Sequence, residues 1–183
     1  AGWCSITVTA GTDCGGGATM YSAGGTYNLT SSATLYAIWL TTTYSINFDG
    51  NGATGGSVPP SGSYVTGSTP GYTVASNSGT LVKTGFTFAG WNTSADGLGT
   101  SVAENAANFT TTSNVTLYAK WSAASYSVTY STDGGSAAPT QSNTAYGSTF
   151  TLPSAPTKSG FDFLGWQLNS NNYAAGSTFT MSD

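Results

Sequence analysis

Hydrophobic and polar residues alternate with a period of two through much of this chain. In "YSINF" (44–48) Tyr44, Ile46 and Phe48 fall on one face, with Ser45 and Asn47 on the other. "YSVTY" (126–130) places Tyr126, Val128 and Tyr130 in the same way, and "LYAKW" (117–121) sets Leu117, Ala119 and Trp121 opposite Tyr118 and Lys120. Such alternation, bounded by glycine-rich turns, predicts half-buried strands. "DGNG" (49–52) and "TDGG" (132–135) supply the positive φ angles that tight hairpins need. The best helix candidate is the short "SVAENAANF" (101–109). The expected class is mainly β.

The strands also recur. "TLYAIW" (34–39) returns as "TLYAKW" (116–121), "TTTYSINFDGNGATGGSVPP" (41–60) as "AASYSVTYSTDGGSAAPT" (123–140), and "KTGFTFAGW" (83–91) as "KSGFDFLGW" (158–166). Trp39 to Trp121 and Tyr44 to Tyr126 both span 82 positions, whereas Trp91 to Trp166 spans 75, the difference lying in two loops. "YAAGSTFTM" (173–181) matches "YSAGGTYNL" (21–29), the stretch that leads into the first "TLYAIW". Residues 1–40 therefore read as the C-terminal part of a first repeat, 41–122 as a complete repeat, and 123–183 as a third repeat without its last strand. Recurrence at equivalent places assigns Trp39, Phe48, Phe88, Trp91, Leu117, Trp121, Phe163 and Trp166 to a repeating core, since each small module must fill the same interior. A sugar-stacking surface is the alternative for the tryptophans.

Charge sharpens the reading. Only 5% of residues are charged, against about a quarter in a typical soluble domain. Arginine and histidine are absent, and Lys83, Lys120 and Lys158 are the lysines, so a net charge of −4 excludes a basic surface for nucleic acid or anionic lipid. No apolar run approaches the roughly 18 residues of a spanning helix, and the chain opens on "AGWCS" without Met or an apolar leader, as a mature or excised piece would.

Catalysis has little to work with: one Glu (Glu104) and six Asp, of which Asp49, Asp96, Asp133 and Asp162 lie at predicted turns. No catalytic residue, cofactor site or metal site is assigned. "FDGNGATGG" (48–56) lacks the further acidic ligands of a calcium loop and reads as a hairpin turn. Lys83 and Lys158 precede Gly-Phe at one repeat position, and an ordinary turn lysine is preferred there over an isopeptide bond. The Asn-x-Ser/Thr triplets at 28, 92, 108 and 114 are expected by chance in a chain this rich in Asn and Thr. Cys4 and Cys14 flank an alternating segment that suits a hairpin. A local disulfide is the preferred reading for an extracellular composition, with free thiols the alternative.

Taken together, "YSVTYSTDGG", "AYGSTFTLPSAPTKSGFDFLGW", "YAAGSTFTM" and "TLYAKW" resemble the Listeria–Bacteroides repeat, also known as the internalin-B B-repeat, over essentially the whole chain. The resemblance implies tandem small β-grasp-like (ubiquitin-like) modules in an elongated array, as found in large secreted or surface-anchored bacterial proteins. The function it implies is a non-enzymatic structural segment of an extracellular or cell-surface stalk or fibre. Its partners would be neighbouring repeats or identical subunits, head to tail. An adhesin module binding a glycan or a partner protein, through loops such as 62–80 or 4–14, is the alternative. A third repeat without "LYAxW" leaves an apolar groove. The self-alignment favours a continuing polypeptide to fill it over a strand lent by another subunit.

Overall fold

A computed structural model describes residues 2–4, 20–22, 24–26, 28 and 31–182. In chain order the strands are β1 (Gly2–Cys4), β2 (Met20–Ser22), β3 (Tyr36–Ile38), β4 (Thr43–Asp49), β5 (Gly62–Val65), β6 (Phe86–Asn92) and β7 (Ser101–Val102). They continue as β8 (Val115–Ala123), β9 (Ser125–Tyr126), β10 (Thr144–Ala145), β11 (Thr149–Thr151), β12 (Trp166–Leu168), β13 (Asn171–Tyr173) and β14 (Thr178–Thr180). Among the described residues there is no helix. A three-stranded sheet has the order β2-β1-β3, a five-stranded sheet the order β5-β4-β8-β6-β7, and β10–β9, β11–β14 and β12–β13 are separate pairs.

The helix candidate at 101–109 does not form. Asn105 and Asn108 have φ of 57° and 62°, left-handed values that a right-handed helix cannot contain. The segment is instead held in extended company: Val74 N–H donates to Ala106 O, Asn105 N–H to Val74 O, and Tyr72 and Phe109 exchange main-chain bonds.

The chain divides into two compact units. One comprises Ala1–Asn47, Pro60–Ala75 and Asn105–Thr116; the other comprises Phe48–Pro59, Ser76–Glu104 and Leu117–Asp183. In the first, β4 pairs antiparallel with β5, Tyr44 facing Tyr64. Ile46 and Val74 are fully buried there, and the Asn114 side chain accepts the Ser45 N–H. Burial of such a side chain is worth about 1.5–3 kcal/mol.

In the second unit β6 carries the feature that explains the spacing of "FxGW". Phe88 faces Trp121 and Trp91 faces Ala119, so three steps on β6 match two on β8. This bulge turns Phe88 and Trp91, which a regular strand would point apart, onto one side. It needs Gly90, whose φ is +95°; Gly165 of the third repeat holds +144° at the same place.

The first repeat keeps the register of the complete one: Trp3 faces Ala37 as Trp91 faces Ala119. Its packing departs from expectation. Trp39, assigned to a core, is 70% exposed, and Leu35 is 40% exposed, while Ile38 is buried. In the complete repeat, the face corresponding to Leu35, Ala37 and Trp39 lies beside β4 and Phe88. Ile38 stands where Lys120 stands in β8 and, being apolar, is the residue that buries.

The third repeat shows a related change. Of "YSVTY" only Tyr126 lies in a strand, the two-residue β9. Beyond that, burial still alternates, with Tyr126, Val128 and Tyr130 half-buried and Ser127 and Thr129 exposed, but no sheet pairing accompanies it.

Candidate functional site

Two turns of like sequence organise the two later repeats. In each, a Lys-x-Gly-Phe turn closes with the Phe N–H donating to the Lys carbonyl: Phe86 to Lys83 at 2.9 Å, and Phe161 to Lys158 at 3.1 Å. The ammonium then reaches across to the preceding hairpin. Lys83 Nζ donates to Asn51 O at 3.4 Å and Lys158 Nζ to Asp133 O at 2.6 Å. Each also lies over the ring of its turn phenylalanine, at 5.1 Å from Phe86 and 4.9 Å from Phe161. Both amines are thus engaged with main-chain carbonyls. The first of these hairpins is an Asx turn: Asp49 Oδ1 accepts the Asn51 N–H, as the turn reading of "FDGNGATGG" expects.

Behind each turn sits an aromatic cluster. Phe48 and Trp91 rings are 4.7 Å apart and Phe88 and Trp91 5.2 Å; the counterparts Tyr130–Trp166 and Phe163–Trp166 are 5.0 Å and 5.4 Å apart. Phe48 and Trp91 are buried, Phe88 and Phe163 are half-buried, and Trp166 is 9% exposed.

The clusters differ in their cover. In the complete repeat β8 lies across the cluster with Leu117 and Ala119 fully buried. Trp121, half-buried, meets Phe88 edge-on at 5.8 Å and donates Nε1–H to Gly50 O and Asn51 O. The third repeat has no such strand among the described residues. A groove of about 830 Å³ takes its place, lined by Val128, Tyr130, Phe150, Phe163, Trp166 and Phe179. The Tyr130 hydroxyl is buried there without a hydrogen-bond partner, and desolvation raises its pKa above the ordinary 10.0. Trp166 Nε1 is satisfied by Pro153 O. This groove is the candidate functional site.

The polar residues serve the fold. Asn92, read only as a glycosylation triplet, is 1% exposed. Its amide donates to Gly97 O, Gly99 O and Ser101 Oγ, and its oxygen accepts the Ser94 N–H. The nitrogen that a glycan would use is sealed, and the side chain shapes the β6–β7 loop. An Asn followed by a Gly- and Ser-rich loop is the turn signal that could have revealed it. Asp96 accepts from Ser94 Oγ and Leu98 N–H, which hold its carboxyl below the ordinary value. Glu104 accepts the Asn77 N–H. No group of three or more His, Cys, Asp or Glu that could hold a metal occurs among the described residues. Among them, too, no helix is long and apolar enough to cross a membrane. The proposed Cys4–Cys14 disulfide lies outside the described residues, as Cys14 and the side chain of Cys4 are not among them.

The model of the Listeria-Bacteroides repeat domain family matches residues 44–120 and 126–183. A protein of Evansella cellulosilytica named "Putative Gly-rich membrane protein" is 38% identical over 133 residues, 73% of this chain and 15% of its own length. Another from the same organism, named "Putative membrane protein", is 34% identical over 140 residues, 75% of this chain and 19% of its own. The chain thus spans less than a fifth of either relative. No solved structure matches it.

Proposed function

Because the chain belongs to the Listeria-Bacteroides repeat domain family, we propose that it is a non-enzymatic structural segment of a bacterial cell-surface stalk or fibre, its modules joined head to tail. The junction between the second and third repeats carries this reading. A single residue, Ala124, separates β8 from β9. Its N–H donates to Gly85 O at 2.8 Å and its carbonyl accepts the Tyr146 N–H at 2.7 Å. Tyr146 lies against Gly85, where a Cβ would stand 2.2 Å from the ring, and meets Phe86 edge-on at 5.7 Å. Consecutive modules are therefore bonded through both backbone and side chains, as a load-bearing series requires and a string of independent binding heads does not.

The sheet order supports the finer β-grasp-like reading. Counted within the complete repeat it runs second, first, fifth, third, fourth, with the module's first and last strands adjacent at the centre, as in a β-grasp sheet. The names of the Evansella relatives support a place at the cell surface. The glycan- or protein-binding alternative finds less support in loop 62–80, where Tyr72 is bonded to Phe109 and Val74 is buried.

Backbone residual dipolar couplings on the chain test the junction. The second and third repeats should share one alignment tensor, and Tyr146→Ala should separate them. Independent tensors in the unaltered chain would refute a coupled array. Immunogold labelling of intact cells tests location, with label on the outer surface expected.

A further inference from the structure

We infer that Asn51 is a modification site, a deamidation centre that the folded second repeat holds shut and that, once it has reacted, keeps its hairpin from being tied down as before.

The liability comes from the turn. Ala53 N–H donates to Gly50 O at 3.1 Å, and the two residues between them, Asn51 and Gly52, have φ of 48° and 78°. A two-residue hairpin turn with positive φ at both central positions favours Asn-Gly. The same dipeptide is the one most prone to cyclise, because glycine has no Cβ to shield its main-chain nitrogen. The Gly52 nitrogen bonds to Asn51 Cγ, and the side-chain nitrogen leaves as ammonia, taking the Gly52 proton with it. Water then opens the five-membered succinimide at either carbonyl, giving aspartate or an isoaspartate whose backbone is longer by one methylene. Water is the one co-reactant, and Gly52 is exposed to it.

The fold opposes this step through the group that must leave. Asn51 Nδ2 donates to Ala95 O at 2.9 Å and to Ala119 O at 3.0 Å. The side chain is thereby tied to the β6–β7 loop and to β8, and must release both carbonyls to fold back on Gly52. The Asn51 carbonyl is held as well, by Trp121 Nε1–H at 3.1 Å and Lys83 Nζ at 3.4 Å. Four bonds from separate parts of the repeat thus converge on one residue. The reaction must proceed from the opened hairpin, at the chemical rate multiplied by the fraction open.

The product does not fit the place it leaves. Aspartate would set a carboxylate against the carbonyl oxygens of Ala95 and Ala119, acceptor against acceptor. The turn itself accepts that residue: Asp133 holds the same φ of 48° in the third repeat, and Lys158 still grips its carbonyl. What is lost is the attachment of the hairpin to β8 and to the loop, and isoaspartate lengthens the turn besides. Because ammonia does not return, each opening that ends in reaction is recorded in the chain.

The test follows Asn51 by peptide mapping of the whole chain aged in mildly alkaline buffer, with isoaspartate located by fragmentation. The free peptide FDGNGATGG (48–56) and the chain unfolded in urea should convert readily, and the folded chain at least about tenfold more slowly. Urea below the unfolding transition should raise the folded rate. Lys83→Gln, which removes one grip on Asn51, should raise it about threefold or more. Asn51→Asp should lower the unfolding midpoint and speed hydrogen exchange of the Trp121 indole N–H. If that variant is too unstable to fold, the aged chain, separated by its added negative charge, gives the same two readings. A folded chain that deamidates as fast as the peptide overturns the protection, and a peptide and unfolded chain that stay intact overturn the site. A rate unmoved by both Lys83→Gln and mild urea overturns the role of opening. An unchanged midpoint with unchanged indole exchange overturns the lasting loosening of the hairpin.

Discussion

The second and third repeats hold the same aromatic cluster to within about a third of an ångström in ring separation (4.7 and 5.2 Å against 5.0 and 5.4 Å), yet only one of them completes a sheet. In the second repeat seven residues from Thr43 form β4; in the third, the equivalent stretch pairs at Ser125–Tyr126 alone. Ring packing is decided locally by the positive-φ glycine before each tryptophan, Gly90 or Gly165, and by the grip of a lysine on a hairpin. The backbone ladder depends on a strand from the far end of the module. Side-chain order can therefore survive where main-chain order does not, because the two are supplied by residues at different sequence distances.

The largest test of that contrast is truncation of the central indole. Trp91→Ala should cost about 3–5 kcal/mol in urea unfolding, the range for a fully buried Trp. Trp166→Ala should cost less, because its cluster is uncovered. Equal losses would mean that β8 adds nothing to the cluster.

Next in size is the residue that follows each tryptophan. Asn92→Ala leaves two carbonyls and an N–H unpaired and should cost about 1–3 kcal/mol. Gln167 is exposed, and Gln167→Ala should stay within about 0.5 kcal/mol. Unfolding midpoints of the two variants at a common slope decide this.

Tyr130→Phe makes the third cluster resemble the second and removes a buried hydroxyl without a partner. It should stabilise the chain by about 1 kcal/mol. The native pKa of Tyr130 is raised, so the protonated ring is favoured in the fold. Its contribution is whole below the unfolded value and falls as pH rises through the native one. In Tyr130→Phe that alkaline decline should be reduced, which unfolding series at rising pH would show.

The smallest effect concerns the β6–β7 loop, longer than its counterpart between β12 and β13. The carboxyl of Asp96 is held below 3.8 by Ser94 and Leu98. Its contribution is present above the unfolded pKa and is lost as pH falls through the lower native value. Asp96→Asn should flatten the acid limb of stability slightly, by thermal melts between neutral and acid pH. An unchanged limb would show that the loop's hydrogen bonds do not favour the ionised form.

Much of this contrast was legible in the residues. The alternation of "YSINF" and "LYAKW" became β4 and β8, and the repeat placed Trp91 and Trp166 at one structural position. What escaped has physical causes. Trp39 carries the signature of a core residue yet stands 70% exposed, because a recurring residue type marks a place in the repeat while burial belongs to the surroundings. "SVAENAANF" has helical composition, but Asn105 and Asn108 take left-handed turns that composition does not announce. Asn92 looked like a surface acceptor because a buried amide is distinguished only by the carbonyls that gather round it.

The lysine clamps also bear on how such a chain would fare among secreted proteases. An enzyme of trypsin's type cuts after Lys or Arg and must draw the target segment into its cleft in extended form. This chain offers it Lys83, Lys120 and Lys158. Lys120 lies in the middle strand of the five-stranded sheet, and the other two are held in closed turns by both carbonyl and amine. Cleavage would have to wait for local opening, and its rate would follow the free energy of that opening. The same few side chains that brace the modules are the sites at which digestion would begin, so bracing them also guards them.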